Sequence, residues 1–442
     1  MNSQEHIVML PFLAHGHLIP FLALAKQLQQ RTGYTITIAS TKLNIQYLRS
    51  SISADSGSKI LFAELLFCSS AHDLPPKTES TENLSLDRMI KLLHASQSLE
   101  DPLFRLLNDI IDQEGRPPLC IISDLFFGGG NSDEFLLPGF PKSVRFHRSQ
   151  LHPYLRAADG TDVGSKFMQS QPLHILWLCN SVKEIEPLGL HLLMKYIRLP
   201  VWAIGPLLPP AALKSSSSSQ ASVSRQHSIS GKNPGLPLEK FLEWLDLQSP
   251  DSMMQLAIGL EGSGKSFIWI VRPPLGFDLN GEFRDEWLPE GFEERMKQSR
   301  RGLIVRNWAA QLDILSHKST GAFLSHCGWK SVLESLSQGV PIVGWPMAAE
   351  QAFNSKMLME EMGVSVELTR GIQSVIEAKE VKRIIESAMD EPRKGEDMRK
   401  KAAEVEELMK LAVREEGEEK GSSLKALDDF VRTVLYKRQE QP

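Results

Sequence analysis

The chain has 442 residues, 42% of them apolar and 23% charged, enough to bury two ordinary cores and inconsistent with a disordered or fibrous protein. Lys and Arg total 49 against 54 Asp and Glu, and the net charge of −5 leaves no basic surplus for a phosphate backbone, so nucleic acid is not an expected partner. Cys68, Cys120, Cys179 and Cys327 stand far apart without paired spacing, which argues against a disulfide framework or a zinc site and for a reducing, cytoplasmic setting.

The apolar stretch Ile7–Ala25 lacks a basic flank and is broken by Pro11, His15, Gly16, His17 and Pro20, so neither a signal peptide nor a membrane span is expected. Within it, His6–Pro11 reads as a short buried strand, and His17–Gln30 carries apolar residues at helical spacing. Tyr34–Ser40, Lys59–Ala63 and Leu119–Ser123 read as further strands, Leu86–Ile111 as helical, and His174–Cys179 and Pro200–Ile204 as late strands. Strands alternating with helices predict a parallel sheet covered on both faces. Gly205–Pro210 (GPLLPP), the serines Ser215–Ser219 and a polar run to Asn233 then mark a linker.

Alternation resumes beyond it. Helices are expected over Leu238–Leu247 and Ser252–Leu260, from Trp329 and from Glu350, with strands at Phe267–Arg272, Leu303–Arg306, Ala322–Ser325, Pro341–Gly344 and Val364–Leu368. The mixed charge run Glu377–Lys420 reads as solvated helix faces, and Ser422–Arg438 is amphipathic. Two doubly wound α/β domains place a ligand in the cleft between them.

Three motifs carry possible chemistry. Gly259–Ser266 (GLEGSGKS) satisfies the P-loop pattern, but a P-loop needs a strand before it and a helix after it, and here the order is inverted. A helix C-cap turning into a strand is the ordinary outcome. His15-Gly16-His17 falls where the first strand gives way to the first helix, a position for a general base near neutral pH or simply for helix-entry histidines. Asp124 ends another strand and can reach the same rim, where it could orient a histidine, although strand-end Asp residues commonly cap loops.

The third is the 44-residue segment Trp308–Gln351, WAAQLDILSHKSTGAFLSHCGWKSVLESLSQGVPIVGWPMAAEQ. Its endpoints, its HCGW core and its GWP-x-x-x-EQ ending closely resemble the signature box of plant secondary-product glycosyltransferases, the family 1 UDP-sugar enzymes of the GT-B fold. GHLIP near the N-terminus, D-L-F-F after a strand and the GPLLPP linker are similar to the same family.

The resemblance implies two Rossmann-like domains facing a cleft: an acceptor-binding domain over 1–207, a linker over 208–236, a nucleotide-sugar-binding domain over 237–424 and a C-terminal helix over 425–442 docking on the first domain. It implies a UDP-binding set of Trp308 (stacking on uracil), Ala309, Gln311 and Glu334 (ribose), His326 and Ser331 (phosphate), with Trp329 and Lys330. Trp329, Glu350 and Gln351 match sugar-contacting positions. His17, the histidine before Leu-Ile-Pro, matches the base, with Asp124 holding its imidazole. The implied reaction is inverting transfer of a sugar, glucose foremost, from a UDP-sugar to a hydroxyl of a small lipophilic acceptor. Neither metal nor cofactor takes part, and the enzyme is expected to be a monomer.

Three departures from the family pattern stand out. Lys330 replaces the Asn of HCGWNS. Phe126–Pro141 shows no helical period where the family has a helix and another strand. Helix Leu238–Leu247 runs through Gln248–Ser252 into the next helix, where the family has the first strand of the nucleotide-binding sheet and its Phe-Gly-Ser turn. Two internal segments are therefore expected to be missing, and a relative that is inactive or binds UDP only weakly is the alternative reading.

Overall fold

The computed structural model describes residues 5–51, 60–81, 95–124, 176–197, 199–213, 250–271, 283–306, 309–347, 350–370, 376–390, 394–415 and 419–439, with 84, 88, 91–92, 134–135 and 146–147. Expectations for Trp308, for Phe126–Asp133 and for the linker and helix over 214–249 lie outside them.

The first domain opens with β1 (His6–Leu10), α1 (His15–Thr32), β2 (Thr35–Thr41), α2 (Lys42–Ser50), β3 (Ile60–Leu65), α3 (Glu100–Glu114) and β4 (Cys120–Ser123). Strands run parallel in the order β3-β2-β1-β4, with Val8 paired to Thr37 and to Ile121. Ile7, Val8 and Met9 are all buried because helices cover both faces, which is why β1 reads as an unbroken apolar run. Helix α1 ends at Gly33, whose φ of 69° lets its N–H return to Gln29 O. Two residues each form the antiparallel pair β5 (Glu134–Phe135) and β6 (Phe146–His147); β7 (Trp177–Cys179), α4 (Pro187–Ile197) and β8 (Val201–Ala203) follow, β7 and β8 pairing in parallel.

The second domain comprises α5 (Pro250–Ser263), β9 (Phe267–Val271), α6 (Phe292–Ser299), β10 (Gly302–Arg306), α7 (Gln311–Leu315), β11 (Phe323–Ser325), α8 (Trp329–Leu336), β12 (Ile342–Gly344), α9 (Gln351–Glu360), β13 (Ser365–Glu367), α10 (Ala378–Met389) and α11 (Lys394–Ala412). Its parallel ladder comes in two pieces, β10-β9 and β11-β12-β13. Among the described residues β9 pairs only with β10 and β11 only with β12. One apolar cluster nevertheless holds Trp269 and Val271 of β9 together with Val343 of β12 and Val366 of β13.

The P-loop alternative does not survive this fold. Gly259 lies inside α5, where a Cβ would sit 2.5 Å from Val381 Cβ and 2.8 Å from Ala378 O, so that glycine permits close packing of α5 on α10. Gly264, at φ +70°, ends the helix before β9.

The chain closes with α12 (Ser422–Gln439), which starts three residues before the boundary expected at 425. Its Leu427, Phe430 and Val434 join the core of the first domain beside Leu28, Trp202 and Ile204. Trp202 Nε1 donates to Asp429 at 2.9 Å, Arg31 Nη2 to Asp428 at 2.6 Å, and Arg438 Nη1 to Glu5 at 2.7 Å. Gly421, just ahead of α12, is pressed on Ala412 O, where a Cβ has no room.

Candidate active site

The carboxyl end of β1 leads through Phe12 and Ala14 into α1, whose third residue is His17. The neighbouring strand β4 delivers Asp124 just past its end. His17 Nδ1 lies 3.2 Å from Asp124 Oδ1, while Asp124 Oδ2 accepts the Phe12 N–H at 2.7 Å. The Phe12 ring stands edge-on to the imidazole at 5.7 Å. The carboxylate is thus fixed by backbone, and the imidazole is fixed by the carboxylate and an aromatic edge. With Nδ1 turned to Asp124, Nε2 lies on the far side of a ring that keeps about a third of its surface exposed (34%). His15 turns elsewhere: it is buried and stacks on Tyr47 at 3.8 Å.

On the second domain the end of β11 makes a tight turn into α8. Cys327 takes φ 64°, a left-handed conformation unusual for a residue with a Cβ, and Gly328 precedes the helix. A Cβ at Gly328 would sit 2.5 Å from His326 Nε2, so the imidazole lies directly over the glycine at the helix N-terminus. Asn354 Nδ2 donates to Cys327 O at 2.9 Å and holds the turn from α9. Burial pushes the Cys327 thiol up to about 12, so this side chain packs as a neutral thiol.

Gln311 opens α7, and its Nε2 donates to Glu334 Oε2 at 2.6 Å and approaches Ser331 Oγ at 3.4 Å. Lys330 Nζ lies 3.5 Å from the other oxygen of Glu334. Glu350 Oε1 approaches the Trp329 N–H at 3.5 Å, so the N-terminus of α8 carries a carboxylate of its own. Gln351 is fully buried, its Oε1 accepting Met347 N–H at 3.0 Å. Ala309 lies two residues ahead of α7. The fold therefore gathers Gln311, His326, Trp329, Lys330, Ser331, Glu334 and Glu350 at α8, with Gln351 buried next to Glu350 at the start of α9. Trp308 lies outside the described residues.

The two walls meet at Trp329, whose Nε1 donates to Asn180 O at 2.7 Å, and Asn180 Oδ1 in turn accepts Leu207 N–H at 2.8 Å. Val182 and Ile185 of the first domain share a core with Val332, Leu333 and Leu336 of α8. Beside them Glu186 accepts a short hydrogen bond from Ser181 Oγ, and burial pushes its carboxyl above the usual range. Asn180 and Asn354 were not singled out in the sequence. Their partners, the Cys327 carbonyl for Asn354 and the Leu207 N–H and Trp329 indole for Asn180, lie far along the chain and leave no local pattern, although an Asn directly after a strand end is a turn signal worth following. Among the described residues no group of three or more His, Cys, Asp or Glu is placed to hold a metal ion, and no helix is long and apolar enough to cross a membrane.

A search of protein families matches residues 247–400 to the model described as UDP-glucoronosyl and UDP-glucosyl transferase. The chain is 37% identical to UDP-glycosyltransferase 92A1 of Arabidopsis thaliana, covering 98% of each protein, and 36% identical to crocetin glucosyltransferase 3 of Crocus sativus, covering 89% of this chain and 92% of that one. The first alignment extends over 489 positions against 442 residues here, so the relative carries segments that this chain lacks. Among solved structures, UGT2 of Phytolacca americana, complexed with UDP-2-fluoro-glucose and pterostilbene, superposes with a TM-score of 0.70 at 25% identity, over 97% of this chain and 99% of that one.

Proposed function

The chain belongs to the UDP-glycosyltransferase family, and from that premise we propose that it transfers glucose from UDP-glucose to a hydroxyl of a small lipophilic acceptor, with inversion and without a metal. The observation that carries the reading is the His17–Asp124 pair at the carboxyl end of the first sheet. It has the geometry of an oriented general base.

In the proposed step His17 Nε2 takes the proton of the acceptor hydroxyl while Asp124 stabilises the imidazolium. The acceptor oxygen forms a bond to the anomeric carbon as the bond from that carbon to the diphosphate oxygen breaks on the opposite face, and UDP leaves with the electron pair. The free N–H groups and macrodipole of α8, with His326 and Lys330, neutralise the departing charge, which is the task a metal serves elsewhere. Glu334 suits a ribose diol through its two acceptor oxygens, and Glu350 and Gln351 face the sugar in this reading. Support for a glucosyl donor comes from the named relatives and from the terminal Gln351. The acceptor-bound structure of the Phytolacca protein supports a small aromatic hydroxyl as the acceptor class.

The test is product formation from UDP-glucose with a panel of phenols and alcohols, followed by NMR of the anomeric proton. A β-glucoside is expected from the α-linked donor. An α-linked product would overturn inversion, and hydrolysis of the donor with no transfer to any acceptor would overturn the transferase reading.

A further inference from the structure

Lys330 is the second residue of α8, so its ammonium sits in the first turn, where the helix already presents positive charge. Its counter-ion is Glu334, four residues later, with the cation N-terminal to the anion, the less favourable orientation for such a pair. Both side chains are nearly buried, at 11% and 7% exposure. The macrodipole and the order of the pair both disfavour this arrangement, and such local conflict belongs at functional sites. Both oxygens of Glu334 have a neighbour: Gln311 donates to one at 2.6 Å, and the Lys330 ammonium stands 3.5 Å from the other. A ribose diol arriving at this carboxylate meets the ammonium there.

Resting on the nucleotide-sugar reading above, we propose that Lys330 is a donor-specificity residue that changes partners. In the empty site it neutralises Glu334; when a nucleoside diphosphate enters, the ammonium turns to the phosphates and releases one carboxylate oxygen to the ribose. An anion at the N-terminus of α8 meets the lysine and the helix end together, where the Glu350 carboxylate stands 3.5 Å from the Trp329 N–H in the empty site. Selectivity then resides in the diphosphate: a ligand with ribose but no phosphate must compete with Lys330 for Glu334, whereas a diphosphate removes that competitor. Lysine therefore couples two contacts that an uncharged residue there leaves independent.

The test is calorimetric titration of the full chain and of Lys330→Asn and Lys330→Met with UDP and with uridine, at low and high salt. Both substitutions are expected to leave uridine binding equal or tighter and to weaken UDP, narrowing the preference for UDP by about tenfold or more and flattening its salt dependence. Thermal melting identifies a misfolded variant, and the second substitution keeps the comparison available. Equal losses for UDP and uridine would reduce Lys330 to structural support and overturn the proposal, as would an unchanged preference or tighter UDP binding in either variant. If UDP binds the unaltered chain and the preference does not move, this inference alone fails. If UDP binds neither the unaltered chain nor the variants, the nucleotide-sugar reading fails with it.

Discussion

Strand β1 pairs with β2 on one side and β4 on the other, whereas among the described residues of the second domain β9 and β11 each pair on one side only. The same architecture is thus seen once with a continuous ladder and once, among the described residues, with the ladder in two pieces. The interruption divides the ladder but not the core, since Trp269 of β9 and Val343 of β12 remain in one apolar cluster. Apolar burial is non-directional and can close over a deletion, while backbone hydrogen bonds need a partner at a fixed place. Thin cover shows on the β9–β10 pair, where the register partners Ile268 and Leu303 are both exposed. The continuous sheet presents the His17–Asp124 pair, and the interrupted one presents the N-terminus of α8. The proposed base and the proposed donor site therefore rest on supports of unequal completeness.

The largest expected effect tests the intact side. His17→Ala should lower turnover by about 10²–10⁴ while UDP affinity is retained, as read by initial rates and calorimetry. Unchanged turnover would remove the base from this sheet.

Restoring the interrupted side comes next. A Phe-Gly-Ser-containing strand inserted ahead of Pro250, where α5 begins, should pair with both open edges. Buried unpaired groups cost about 1–3 kcal/mol each against a domain stability of about 5–15 kcal/mol. The unaltered chain should therefore melt early or in two stages with a weak response to UDP, and the insertion should give one sharp, UDP-stabilised transition. A cooperative transition raised strongly by UDP in the unaltered chain would show that apolar packing alone suffices.

Trp308→Ala should weaken UDP binding by about 1–3 kcal/mol, on the scale of base stacking on aromatic side chains, and leave acceptor binding alone. Equal UDP affinity would remove the stacking role. At the junction, burial raises the Glu186 carboxyl, so the folded protein favours its neutral form and stability falls as pH climbs above the ordinary carboxylate range. Glu186→Gln should raise the melting temperature at pH 7 and lose that advantage near pH 4; an equal shift at both values would mean the charge is immaterial. Smallest of all, Lys265→Ala should leave activity intact and cost no more than about 1 kcal/mol, because Lys265 pairs with exposed Asp390 on the surface of α10.

Strand positions were readable because strands buried on both faces are continuous apolar runs: His6–Pro11 was expected and His6–Leu10 is found, Phe267–Arg272 was expected and Phe267–Val271 is found. The expected helix-to-helix passage before Pro250 lies outside the described residues, and what the structure adds is that the described ladder of the second sheet comes in two pieces. Short α2 escaped notice, because only Ile45 and Leu48 mark its apolar face and its third buried residue, Asn44, is polar. Gly259 falls inside the expected helix Ser252–Leu260, and only the distant Val381 shows why it is small. For the candidate site the residue types were legible and their pairings were not. Nothing local to Glu334 says that Lys330 and Gln311 occupy its two oxygens, and nothing near Trp329 points to Asn180.

Helix α12 has a mechanical consequence. The backbone leaves the first domain after β8 and returns to it between α11 and α12, where Gly421 is wedged against the end of α11. Two separate crossings define a line, and rotation about that line is the relative movement they restrain least. Because α12 is pinned at both ends, through Asp428 to Arg31 and through Arg438 to Glu5, trimming the last few residues should free translation and twist as well as that rotation.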